Sequence, residues 1–485
     1  MKIFIFNITN IINGISDYLY NYILVGWLIV VGLFFTFSFG FVQIKLFKNG
    51  VSCLLEKNEN GVSSFQALMI STASRVGTGN IAGVASAIAI GGEGAVFWMW
   101  ITAIIGSASA FIESTLAQIY KIRDIKNGGY IGGPAYYIKN AMNSNSLSKI
   151  FAIILILTYA YGFNGLQSYN ITESFKYYFN KPIMIEISEK LFNLSNSESI
   201  IIWNILVSSI LALLLGLIIF GGVKRIGKIT EYMVPIMAII YIVVGIIVFI
   251  LNIDRFPNVI LTIFYKGLNF KAIAGGAMGT VVVQGIKRGL FSNEAGMGSA
   301  PNAAAAADVL HPVNQGLVQV ISVFIDTIII CSVTAFIILL PNFEGKSELR
   351  GMELVQTALN SQIGELGIHI ITISIFLFAF SSLVGNYFYA EANIKFLSDN
   401  NNFLFMFRIT CIIAVILGGI SNFELAWGIA DVLMVFMTLI NLFAIITLHP
   451  IVKKTLQDYI NQVKENKKPV FKSKNIGITD TECWK

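Results

Sequence analysis

Runs of about 20 mostly apolar residues, the length a helix needs to cross a bilayer, recur eleven times along the chain. They lie near 17–44, 65–90, 95–120, 150–175, 199–221, 231–251, 272–300, 312–340, 368–397, 404–420 and 423–449. The pattern predicts an all-α integral membrane protein: an N-terminal segment 1–60 with one extra span, a core 61–450, and a polar tail 451–485. Two runs are interrupted. The second holds Arg75-Val76-Gly77-Thr78-Gly79-Asn80, and the seventh holds Phe291-Ser292-Asn293-Glu294-Ala295-Gly296-Met297-Gly298. Inside a bilayer every backbone N–H and C=O needs a partner in the protein or in a water-lined cavity. A helix broken at mid-membrane therefore points to freed backbone groups that hold something.

The two interrupted runs are five spans apart and so cross in opposite directions. Glycine-broken spans at matching positions of two halves mark the binding site of an inverted-repeat transporter, with halves near 65–251 and 272–449. Glycines in membrane helices also serve close helix packing, and Gly275, Gly276, Gly279, Gly285 and Gly289 read that way. Gly77, Gly79, Gly296 and Gly298 sit beside charged and amide residues and read as breaks.

Composition agrees: 55% hydrophobic and 12% charged, against roughly 25% charged in soluble domains. Basic residues divide unevenly between alternate loops, 21 on one side and nine on the other. Because positive loops stay cytoplasmic, the N-terminus is expected outside and the C-terminus inside a plasma (inner) membrane. Scattered Lys and Arg make no stripe for nucleic acid. Cys53, Cys331, Cys411 and Cys483 form no paired motif, and no H-E-x-x-H exists, which argues against zinc, disulfide and protease chemistry. No removable signal peptide and no enzyme activity are expected, and no cofactor beyond a transported ion. Gly77-x-Gly79 lacks the strand–turn–helix setting of a dinucleotide loop.

Ionisable residues at depth are functional by default. Arg75 and Glu294 each flank a break and are expected to pair or to tie down each other's segment, with Arg288 competing for Glu294. Gln315, Gln319, Ser322 and Asp326 share one helix face, and Asp326 lies about 21 Å along its span at 1.5 Å per residue. Ser382, Asn386, Tyr389 and Asn393 share another face, with Ser381 adjacent. Asn164, Gln167 and Asn170 recur every third residue, and Asp431 and Asn441 are further buried candidates. The helix beginning near Gly79 and Asn80 presents N–H groups suited to a carboxylate. Carbonyls and the hydroxyls of Thr78, Ser381 and Ser382 are hard oxygen donors suited to sodium. Anion site, cation ligands and little room beside Phe291 together describe a small zwitterion coupled to sodium.

At these residues the chain resembles the alanine or glycine:cation symporter family, the sodium:alanine symporters of the amino acid–polyamine–organocation superfamily. The likeness rests on FQAL…RVGTGNIAGVA at 65–85, GGEGAVFWMW at 91–100, GGPAYYI at 132–138, GLFSNEAGMGSAPNAAAAA at 289–307, FIDT at 324–327 and FAFSSLVGNYFYAE at 378–391. It implies a leucine-transporter fold of five plus five spans with one extra, moving alanine and glycine inward with sodium by alternating access. It implies substrate contacts from Gly77, Thr78, Gly79, Gln167 and Asn170, from Phe291, Ser292, Asn293, Gly296 and Met297, and from Ser382 and Asn386. It implies sodium ligands at Val76, Gly77, Ser381 and Ser382, with Asn80 and Asp326 as weaker candidates for a second cation or for support. Many members carry tryptophan where Asn386 stands, which opens the alanine/glycine ranking. The competing readings are an amino-acid-sensing receptor without transport, and a symporter coupled to protons or serving another small amino acid.

Overall fold

The computed structural model describes residues 2–55, 62–124, 128–192, 196–268, 277–343 and 348–484. Among the described residues nine helices are long and apolar enough to cross a membrane. In chain order, α1 (Asn7–Ser38) precedes a broken pair, α2 (Ser64–Arg75) and α3 (Gly79–Gly91). Then come α4 (Gly94–Ile119), α5 (Asn145–Phe179), α6 (Glu198–Ile219) and α7 (Arg225–Leu251). A second broken pair, α8 (Ala277–Asn293) and α9 (Pro301–Ala306), leads to α10 (Pro312–Leu339), α11 (Glu365–Leu397), α12 (Asn401–Gly419) and α13 (Phe423–Lys464).

Helix boundaries follow local chemistry. A reciprocal capping box starts α2: Ser63 Oγ accepts from Gln66 N while Gln66 Oε1 accepts from Ser63 N, which satisfies two otherwise free N–H groups. Where the apolar run suggests a first span reaching residue 44, α1 stops at Ser38 because Gly40 and Phe41 both turn left-handed at φ 61°. At the other end α13 carries through Pro450 to Lys464, well past the apolar run that ends at 449.

Burial separates scaffold from lipid-facing helices. In their most apolar windows α4 and α11 are 72% buried, whereas α6 and α12 are 28% buried. Small residues let α4 approach its neighbours closely. A Cβ on Gly316 of α10 would lie 2.2 Å from Thr115 Oγ1 of α4, and one on Gly285 of α8 would lie 2.5 Å from Ala95 O. Gly285 and Gly289 thus serve packing against α4, while Gly279 has open space and Gly275 and Gly276 lie outside the described residues. Residues 67–88, from α2 through the break into α3, are all buried, as is the whole of α9.

Candidate functional site

The first break is shaped by what it must touch. After Arg75 the chain leaves helical geometry at Val76 (ψ 83°). Gly77 N donates to Asn80 Oδ1 at 2.9 Å, and Thr78 N donates to Gln167 Oε1 of α5 at 3.0 Å. Side-chain carboxamides therefore occupy N–H groups that the break has freed, as a helix start requires. A Cβ on Gly77 would sit 2.2 Å from Ser382 Oγ, and one on Gly79 would sit 2.6 Å from the Phe291 ring. Each glycine is where it is because α11 or α8 comes that close. Thr78 Oγ1 is buried with no hydrogen-bond partner.

The second break runs from Glu294 to Ala300. Glu294, Gly296 and Gly298 adopt φ 54°, 85° and 84°, left-handed values that suit glycine and cost a glutamate on the order of 1 kcal/mol. Glu113 of α4 anchors the opened backbone: its oxygens accept from Gly296 N at 3.3 Å, Gly298 N at 3.0 Å and Asn441 Nδ2 at 2.7 Å. Asn441 Nδ2 also donates to Gly296 O at 2.9 Å. Glu294 turns the other way, accepting from Ser299 Oγ at 2.7 Å and lying 3.1 Å from Ser74 Oγ. Pro301 then restarts the helix at its first turn, where a missing N–H costs nothing.

Ser381 and Ser382 face a row of carbonyls. Ser381 Oγ lies 2.8 Å from Phe378 O, 3.4 Å from Ala73 O and 3.5 Å from Val76 O. Ser382 Oγ lies 3.0 Å from both Ala73 O and Ser74 O and 3.1 Å from Phe378 O. Two hydroxyl protons face four carbonyls, so the cluster is rich in oxygen and poor in hydrogen. That is the donor set of a hard cation. The α2 carbonyls at the hydroxyls are those of residues 73, 74 and 76; Gly77 O instead accepts from Asn80 N at 3.2 Å. The Gly77 carbonyl named from the sequence is thus replaced in this cluster by those of Ala73 and Ser74.

Asp326 forms a second polar knot. It accepts from Asn80 Nδ2 at 2.7 Å, Ser292 Oγ at 2.6 Å and Thr327 Oγ1 at 2.9 Å, linking α3, α8 and α10. It lies in a π-helical stretch, Phe324–Cys331, of the kind that often marks functional sites.

A model of the sodium:alanine symporter family matches residues 5–473. The chain belongs to that family. It is 45% identical over 478 residues to the amino-acid carrier protein AlsT of Bacillus subtilis (strain 168), covering 98% of this chain and 97% of that one. It is 42% identical to the probable sodium/glutamine symporter GlnT of the same organism, covering 98% and 96%. It is 32% identical to the sodium/alanine symporter AgcS of Methanococcus maripaludis, covering 94% and 98%. Sodium:alanine symporters are transporters, and this one is a multi-pass membrane protein.

In this symporter the expected site residues fall into distinct surroundings. Gly77, Thr78, Gln167 and Ser382 meet at one point, and Gly79 packs on Phe291. Phe291 lies between Phe163 and Trp427, with ring centroids 4.8 and 5.1 Å away. Ser292 belongs to the Asp326 knot. Asn293 Oδ1 caps Ala295 N at 3.0 Å, and Met297 is fully buried. Asn170 spends its amide within α5 on Leu166 O at 2.9 Å. Asn386 lies between Ser74 and Asn164, at 2.7 and 3.1 Å.

Of the two alternatives for Arg75 and Glu294 the direct pair is corrected: Arg75 Nη1 donates to Gln319 Oε1 at 3.0 Å, while Glu294 meets the segment of the first break through Ser74 Oγ at 3.1 Å. Arg288 does not compete for Glu294. Its guanidinium binds Asp431 of α13 at 3.0 Å and stacks 4.1 Å from the centre of the Trp427 ring. Lys287 reaches the same Asp431 at 2.8 Å. Glu113, which anchors the second break, is not singled out by the sequence. Its one signal was a lone carboxylate inside the apolar run 95–120.

A cavity of about 940 Å³ opens beside the start of α2, lined among others by Gln66, Glu231, Asn302, Phe388, Glu391 and Lys395. None of the expected substrate residues lines it.

Proposed function

We propose that the protein is a sodium-coupled symporter of small neutral amino acids, alanine and glycine first among them, working inward by alternating access. The observation that carries the reading is the hydrogen-poor oxygen cluster of Ser381 and Ser382 against α2 carbonyls, next to Gly77, Thr78 and Gln167. A sodium ion there joins α11 to the unwound end of α2. That ordering completes the neighbouring substrate position, so each ligand raises the affinity of the other by the same factor.

The substrate carboxylate takes the place now held by Gln167 Oε1 on Thr78 N, at the positive end of α3. Gln167 is thus a stand-in that the ligand displaces. Phe291 against Gly79 leaves room for a small side chain only. Buried charge supports a cation-coupled cycle, because Arg75 faces three carboxylates, Glu113, Glu294 and Asp326. Buried charges are stable only when balanced. The names of relatives fit: one is a sodium/alanine symporter, another a putative sodium/proton-dependent alanine carrier of Bacillus subtilis (strain 168). Counting each broken pair as one crossing gives eleven spans, arranged as inverted halves of five after α1, with the N-terminus outside and the tail cytoplasmic in the plasma membrane.

Uptake of labelled alanine into proteoliposomes, with and without an inward sodium gradient, tests this. Gradient-driven accumulation is expected. Binding without accumulation would leave the protein a receptor, and accumulation driven by a pH gradient alone would make the coupling ion a proton.

A further inference from the structure

Two cations and one carboxylate are buried together where α1, α8 and α13 meet. Lys287 and Arg288 are consecutive in α8, and both bind Asp431 of α13, at 2.8 and 3.0 Å. None of the three side chains is more than 7% exposed. Lys287 lies about 15 Å from the start of α8 and Asp431 about 12 Å from the start of α13, at 1.5 Å per residue, well inside both spans. Every contact of Lys287 suits an ammonium: the carboxylate, the Ser16 hydroxyl of α1 at 3.0 Å, and the face of the Tyr20 ring with its centroid 4.7 Å away. An arginine keeps its proton in any protein, so both side chains are cations. Asp431 brings one negative charge to two positive ones, and among the described residues no second carboxylate pairs with either. Buried charge in excess is costly unless something balances it.

Three donors of the same cluster have no acceptor in the protein. Arg288 spends both terminal nitrogens on Asp431, at 3.0 and 3.3 Å, and its Nε has no partner. The indole Nε1 of Trp427, on whose ring the Arg288 guanidinium stacks at 4.1 Å, has none either. Nor has the Tyr20 hydroxyl, which the charges of Asp431 and Arg288 both reach. Tyr20 is fully buried, and Trp427 and Arg288 are 2% and 4% exposed. Buried polar groups are nearly always paired. Two N–H groups and a hydroxyl beside one surplus positive charge make a recognition set for an acceptor that carries one negative charge. Tyr20 also opens a π-helical turn, Tyr20–Leu24, a local widening that frequently accompanies a functional site.

We propose that Lys287, Arg288, Trp427 and Tyr20 form a binding site for a small monovalent anion, either chloride or the carboxylate of an amino acid entering the protein. A phosphate or sulfate would bring two charges to balance one, and the aromatic walls favour a weakly hydrated ion. The anion joins α1 to α8 and α13, which gives the span that precedes the first break a task of its own. Trp427 also packs on Phe291, with ring centroids 5.1 Å apart, so the site adjoins the aromatic side of the Gly79 break. The anion site stands on this charge balance and these donors, and needs no part of the symport reading.

The test is the thermal midpoint of the full chain in detergent as sodium gluconate is replaced stepwise by sodium chloride, at fixed sodium and ionic strength. A ligand of the folded state raises the midpoint in step with its occupancy, and chloride is expected to do so in the wild type. Trp427→Phe and Tyr20→Phe keep an aromatic ring and each remove one donor. In each the chloride concentration for a given rise is expected to increase about tenfold, the loss of one hydrogen bond to an ion. In Lys287→Met one carboxylate balances one cation, and the chloride response is expected to vanish. A wild type indifferent to chloride overturns the proposal, as do variants that keep the wild-type response. Should Trp427→Phe fail to fold, Tyr20→Phe decides in the same way. Added alanine separates the two sources: a chloride requirement that climbs in proportion to alanine assigns the site to the amino acid's carboxylate, and an unmoved one assigns it to chloride. Chloride binding of this kind without gradient-driven accumulation of alanine defeats the symport reading and leaves the anion site in place.

Discussion

Glu113 Oε2 accepts the Gly298 N–H at 3.0 Å, so a carboxylate on an unbroken scaffold helix holds the backbone of a broken one. Its two oxygens together take three N–H donors, and leaving a buried donor unsatisfied costs about 1–3 kcal/mol. Glu113→Gln keeps the shape but turns one acceptor into a donor that meets the N–H of Gly298 or Gly296. We expect it to destabilise the protein by about 2–3 kcal/mol, read as a lower thermal midpoint in detergent. An unchanged midpoint means that the second break is held by Asn441 alone.

The two breaks were legible in the sequence, and the wiring around them was not. Gly77, Gly79, Gly296 and Gly298 announced the breaks because a helix abandoned at depth leaves backbone groups that must be satisfied. The polar face of Ser382, Asn386, Tyr389 and Asn393, with Ser381 adjacent to it, is legible from helical period alone. By contrast, Arg288 and Asp431 are 143 positions apart, and Arg75 and Gln319 are 244 apart. Helix periodicity carries no information across such distances, so the sequence points Arg75 at the charge beside the other break, Glu294, and not at the carboxamide it meets. A single carboxylate in an apolar run says nothing about the three donors that surround Glu113 in the fold.

Sodium dependence follows from the Ser382 hydroxyl. It lies 3.0 Å from Ala73 O and Ser74 O, and its removal subtracts one oxygen from the proposed cation site while leaving the fold's apolar packing intact. Ser382→Ala is expected to raise the sodium concentration for half-maximal alanine uptake by about tenfold, equivalent to about 1.4 kcal/mol. Uptake at varied sodium is the measurement. Wild-type sodium dependence in the variant removes Ser382 from the site.

Gly77 is a steric requirement. A Cβ there would lie 2.2 Å from Ser382 Oγ and 3.0 Å from Gln167 Nε2, so Gly77→Ala must push α11 and α5 away from the break. Overpacking of this kind costs about 1–3 kcal/mol, here drawn from the state in which α2 and α11 are joined. Alanine affinity is expected to fall by roughly 5–150-fold, by equilibrium binding on folded protein. Gly77 is not among the positive-φ glycines, so backbone strain adds nothing to the effect, and wild-type affinity in the variant would show that the contact yields without cost.

Asp431 pairs with two buried cations, Lys287 at 2.8 Å and Arg288 at 3.0 Å. Taking away the shared carboxylate strands both, and breaking a buried pair costs about 3–5 kcal/mol. Asp431→Asn is therefore expected to lower folded yield severely. Lys287→Met should do much less, since Arg288 keeps both its carboxylate and its stacking on Trp427. If the two variants show equal yields by size-exclusion chromatography, the cluster is not holding α8 to α13.

The returning tail gives the fold an acid-sensitive joint outside the spans. His311 sits just before α10, with Nδ1 accepting from Val313 N at 3.2 Å and Nε2 lying 3.2 Å from Asp458 Oδ2. The neutral ring protonated on Nε2 satisfies both contacts. A second proton on Nδ1 would face the Val313 N–H. Phe471 stacks edge-on against the ring at 5.2 Å, and its N–H donates to Leu310 O at 2.9 Å, so the tail closes over the imidazole. Burial pushes the His311 ring below its ordinary range, and Asp458 offsets only part of that. With a depressed folded value, the unfolded or undocked chain binds the extra proton. The joint's stability is thus complete above about pH 6.5, the unperturbed histidine value, and is lost as pH falls below it. Limited proteolysis of the segment after Lys464 is expected to accelerate in acid. In His311→Gln, which keeps an acceptor for Val313 N and a donor for Asp458, that acceleration should be flat across the same window. A tail that loosens equally in both proteins removes His311 from the joint.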